Sequence, residues 1–140
     1  MRKAVILFTL ATLGGCGGSL QKVHKSAYIG GAVTKSVVEE THKLWSEQLN
    51  GRADDCESSS ESRAEFDECL GPFAHNDDVV IALAFYNKVA ELLFRVLADP
   101  DATKEQILDV AARVIGAAEA LFALMPNSGA PEKIKSILGK

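Results

Sequence analysis

A chain of 140 residues with 19 acidic against 15 basic side chains, a formal charge of −4, has the size of one domain and a surface that does not invite nucleic acid. Close to half of its residues are hydrophobic, enough to bury a core, and its three cysteines are few enough to be assigned one by one.

In chain order, Arg2 and Lys3 form a short charged opening, and residues 4–13 an apolar stretch. That stretch is half the roughly 20 residues a membrane-spanning helix needs, and Gly14, Gly15, Gly17 and Gly18 interrupt any continuation. Leu13-Gly14-Gly15-Cys16 follows the leader directly. This arrangement resembles the signal of a bacterial lipoprotein. The resemblance implies that the thiol of Cys16 receives a diacylglycerol, that residues 1–15 are removed, and that Cys16 becomes the acylated, palmitate-bearing first residue of an envelope protein. It covers the leader and the anchor only. Gly17 in place of an aspartate after the cysteine favours the periplasmic face of the outer membrane in a two-membrane host. Residues 16–19 would then be the anchor and tether, residues 20–140 a single helical domain, and the mature charge −6.

Residues 19–50 lack proline and place Val23, Ala27, Gly30, Thr34, Val37, Thr41, Leu44 and Gln48 in steps of three and four, the spacing of one helix face. Val37, Val38, Leu44 and Trp45 give the second half the firmer face. Gly30-Gly31 costs about 1 kcal/mol per glycine against alanine and marks a place for a kink or break. Unbroken, such a helix spans roughly 48 Å and reads as a stalk leading into a body. Asn50-Gly51 reads as its stop.

An acidic, serine-rich connector follows, with Cys56 and Cys69 on either side of it. With Cys16 lipidated, these two remain as a pair in an oxidising compartment, and a disulfide between them is expected. In the chain-entropy model a loop of this size contributes on the order of 3 kcal/mol. Ser62-x-x-Glu65 has the spacing of a capping box and opens a short helix with Phe66, Cys69 and Leu70 on its apolar side, ended by Gly71-Pro72.

Asn76, Asp77 and Asp78 offer N-caps to a helix over residues 79–98. It is the most apolar segment of the chain, yet Asn87, Lys88, Glu91 and Arg95 give it a narrow wet strip that argues against a membrane span. Asp99-Pro100 offers a cap and first-turn proline to a second amphipathic helix over residues 102–125, with Ile107, Val110, Ala111, Val114, Ala118, Leu121, Phe122 and Met125 on one stripe. The short link makes the two an antiparallel hairpin, with residues 33–49 laid across it. Pro126 to Gly129 breaks the chain, and residues 131–138 are long enough for a last short helix. The expected fold is an all-α small bundle: long N-terminal helix, disulfide-closed connector, antiparallel helical hairpin and short C-terminal helix.

Chemistry is scarce. His24 and His42 lie about five helical turns apart, and His75 stands alone. Glu39 and His42 make a single Glu-x-x-His pair without the second one that a di-iron bundle needs. The serines at 58, 59, 60 and 62 lack a nucleophile elbow and a base, and the acids from Asp54 to Glu68 have no calcium-loop spacing. No metal, catalytic residue or cofactor beyond the covalent lipid is therefore expected, and no enzyme. The expectation is a lipid-anchored interaction or structural protein of the envelope, bound to the membrane through its lipid and to another envelope protein, with Trp45, Phe73, Tyr86 and Phe94 as aromatic anchors where exposed. The alternatives are a carrier of an apolar small molecule between residues 79–98 and 102–125, an enzyme if a cleft joined His75 to Asp77 or Asp78, and a phage or mobile-element lipoprotein that caps a surface receptor.

Overall fold

The computed structural model describes residues 19–125; the expected signal sequence, Cys16 and the short helix expected over residues 131–138 lie outside them. Four α-helices follow in order: α1 (Leu20–Ser59), α2 (Arg63–Leu70), α3 (Asn76–Ala98) and α4 (Lys104–Leu124), with a 3-10 turn, Gly71–His75, between α2 and α3. No strand occurs among the described residues, and the chain is an all-α bundle.

Ser19 caps α1 by accepting from the Lys22 amide, and the helix runs through both expected interruptions for 40 residues, about 60 Å. Gly30-Gly31 does not break it, for a packing reason. A Cβ on Gly31 would sit 2.9 Å from Cδ2 of Leu93 on α3, so the glycine leaves the room that the Leu93 side chain fills. Asn50-Gly51 does not end α1 either. Gly51 is exposed, with nothing near it, and the turns beyond it are held from outside by Cys56 and Arg52, so the modest propensity cost is carried.

The stalk therefore lies at the other end from the one expected. Val23, Ala27, Gly31, Val37, Val38, Thr41 and Trp45 are all buried, so residues 20–45 belong to the body. Their partners run in reverse order along α3: Nε2 of His24 donates to the Leu97 carbonyl at 2.6 Å, Tyr28 meets Phe94 edge to face at 5.9 Å, and Nε1 of Trp45 donates to Oδ1 of Asn76 at 3.0 Å. Residues 24–45 of α1 thus run antiparallel to α3 and, as expected, pack against both helices of the hairpin, more extensively against α4 than against α3. Residues 46–59 continue past the start of α3, and α2 folds back against them.

The Cys56–Cys69 disulfide, with Cα atoms 5.7 Å apart, and an Arg52 Nε bond to the Cys69 carbonyl at 3.0 Å clamp that end. Ser62 accepts from the Glu65 amide at 3.2 Å, but Glu65 reaches back to the Glu61 amide instead of that of Ser62, so the capping box closes one residue early. Gly71, at φ 57°, ends α2 in a conformation only glycine adopts cheaply. The 3-10 turn then feeds α3 directly. Its first residue is Asn76, whose side chain goes to Trp45 and not to a cap.

The α3–α4 hairpin forms as expected, with a different cap. Asp99 holds the turn by accepting from the Asp101 amide at 2.9 Å, while Thr103 and Gln106 form a complete capping box at 3.2 and 2.9 Å. The Thr-x-x-Gln spacing was open to reading in the sequence. All eight residues expected on the α4 stripe are buried, together with Ile115 and Ala117.

Candidate functional site

Since α1 covers one side of α3 and α4 another, one face of α3 is left over. The apolar run at its start divides: Val79 is buried, whereas Val80 is 52%, Ile81 67% and Phe85 59% exposed, and Leu92 follows at 39%. Ile81, Phe85, Lys88 and Leu92 recur at steps of four, three and four, so they share one side of the helix. Exposed large apolar side chains clustered on one element mark contact surfaces more often than isolated ones do.

The charges around this face have a definite order. Asp77 and Asp78 stand in the first turn of α3, where negative charge suits the helix dipole, and Arg95 stands in the last, joined to Glu91 by an i,i+4 ion pair. Neither Asp78 nor Lys88 has an ion-pair partner among the described residues.

The expected aromatic anchors fall elsewhere. Trp45 and Tyr86 are fully buried, with Trp45 against Phe73 at a centroid distance of 4.5 Å, and Phe94 is half-covered by Tyr28. Among the described residues, the exposed aromatics are Phe85 and Tyr28. The i, i+4, i+7, i+11 spacing of Ile81, Phe85, Lys88 and Leu92 was the available signal.

Other candidates are geometrically thin. His75, Asp77 and Asp78 are all exposed, with no hydrogen bond joining them among the described residues. Glu39 is exposed beside Lys35 at 4.0 Å, and His42 is half-buried. No group of three or more His, Cys, Asp or Glu among the described residues has the geometry to hold a metal. No described helix is long and apolar enough to cross a membrane. Between α1, α3 and α4, around Gly31, Leu93 and Val114, the cavity is about 10 Å3, space for a single water and nothing larger. An open groove of about 410 Å3 runs along the outside of α1 past Tyr28, Lys35, Glu39 and Phe94.

Two core hydroxyls, Thr41 Oγ1 and Tyr86 OH, are buried without a hydrogen-bond partner. Burial first, and the negative charge of Glu39 second, push the Tyr86 phenol above its ordinary range. No protein-family model matches the chain, and no curated protein or solved structure is found to be similar to it.

Proposed function

We propose that this protein is a lipid-anchored component of the bacterial envelope, attached through Cys16 and working by contact instead of catalysis, with the outer face of α3 as its contact surface. The observation that carries the contact role is the exposure of Ile81 and Phe85 on one side of α3, while the apolar stripe of α4 is buried. A soluble helix loses nothing by placing polar residues at such positions, so large apolar ones there favour a partner that covers them. The anchor rests on the leader and Leu13-Gly14-Gly15-Cys16. Removal of residues 1–15 would leave the body close to the membrane, since Gly17 and Gly18 alone separate Cys16 from the Ser19 cap of α1.

Intact mass of the protein purified from its own membranes tests the anchor, and crosslinking in those membranes tests the contact. A product that begins at Cys16 with added acyl mass supports the anchor; an uncleaved or unmodified chain overturns it. A crosslinked protein adduct lost on Phe85→Ser supports the contact surface, and an adduct pattern indifferent to that change removes it.

A further inference from the structure

The exposed face of α3 has a pattern that names its own partner. Asp78, Ile81, Phe85, Lys88, Leu92 and Arg95 follow one another at steps of three, four, three, four and three, the spacing of a coiled-coil seam, and all six are exposed. The seam covers 18 residues, about 27 Å of helix. Its order is acid, apolar, aromatic, base, apolar, base.

Two copies of α3 laid antiparallel about a two-fold axis between positions 86 and 87 match this order to itself. Asp78 then faces Arg95 of the second copy, Ile81 faces its Leu92, and Phe85 faces its Lys88. Each pairing occurs twice. The outer pair is of opposite charge, the next is apolar, and the central pair sets an ammonium against an aromatic ring. The registers agree as well, since in this spacing each facing pair joins an a position to a d position, as antiparallel helices require. A parallel pair in register would instead oppose Asp78 to Asp78, Lys88 to Lys88 and Arg95 to Arg95, with like charges in three of six layers.

We infer that the partner of the α3 face is a second copy of this chain, joined antiparallel through the seam from Asp78 to Arg95 in an isologous dimer. This rests on the reading of that face as a contact surface. One helix seam makes a small interface, so the dimer is a reversible one, favoured where the chain is concentrated. Lys88, which has no ion-pair partner among the described residues, acquires one role, and Arg95 gains a second carboxylate beside Glu91.

The test places a photoreactive benzophenone side chain at Ala84, exposed beside the seam but outside it, in the full chain in its own membranes. The expected product has twice the chain mass, with the link inside residues 88–92. Asp78→Arg alone and Arg95→Asp alone should each lower its yield at least about tenfold, because each turns two attractions into two repulsions across the two-fold axis. The double variant should restore it. Melting curves of the three variants, all altered at exposed positions, verify that the fold is intact. A double variant that folds but does not regain the product overturns the antiparallel pairing. A link at the mass of one chain, into residues 126–140, overturns it in favour of the chain's own tail. A link to a different protein overturns it while leaving the contact surface standing, and no link at all removes both.

Discussion

α3 and α4 are neighbours of similar length and similar apolar content, and they spend that content differently. On α4 the stripe from Ile107 to Met125 is buried throughout, and Glu105, Asp109, Arg113 and Glu119 face outward. On α3, Val79, Tyr86, Val89, Ala90, Leu93 and Leu97 fill the core while Ile81, Phe85 and Leu92 stay outside. The number of apolar residues in a helix thus says little about how many are buried. What decides is phase, since α1 and α4 cover only part of the α3 circumference.

The contrast is sharpest in stability. Leu121→Ala, at a fully buried position on α4, should cost about 2 to 5 kcal/mol in a urea melt, whereas Phe85→Ser on α3 should change stability by no more than about 0.5 kcal/mol. Comparable losses at the two positions would mean that the α3 face is core. Cys56→Ser should lower stability by up to about 3 kcal/mol under oxidising conditions and change little in reductant. Equal melting curves in both conditions would remove the bridge as a source of stability.

The smallest effect concerns the buried side of α3. The Tyr86 hydroxyl has no partner, so Tyr86→Phe should stabilise the fold by about 1 kcal/mol. Because burial and Glu39 raise the folded pKa, the unfolded chain releases the phenol proton first as pH rises through about 10, and the folded chain keeps it. Stability should therefore fall above about pH 10, and the Phe variant should fall less steeply. Parallel pH profiles for the two proteins would show that the hydroxyl is solvated.

Helical periodicity, the α3–α4 hairpin and the α4 stripe were legible in the sequence because each depends on neighbours a few residues apart, and the cysteine pair because only two cysteines remain once Cys16 is set aside. Three features were not, since each depends on what another helix does. Gly30-Gly31 reads as a weak point until Leu93 is placed against it. Asn50-Gly51 reads as a stop until Arg52 and Cys56 are tied to Cys69. The exposed α3 face reads as core until α1 and α4 are seen to cover the other sides. His24, which looked isolated, lies against the last turn of α3 and satisfies the Leu97 carbonyl, a bond that joins residues 73 positions apart.

The clamp at Cys69 makes one end of the molecule depend on chemistry that the rest does not need. Residues 46–59 and α2 bury little besides Cys56 and Leu70, and they are held by the disulfide and Arg52, whereas the buried residues from Val23 to Trp45 are packed into the three-helix core. A reductant should thereby act as a local denaturant for this chain: limited trypsin digestion is expected to cut the outer hairpin around Arg52 and Arg63 once the bridge is reduced, while the core from Val23 to Trp45 keeps its protection.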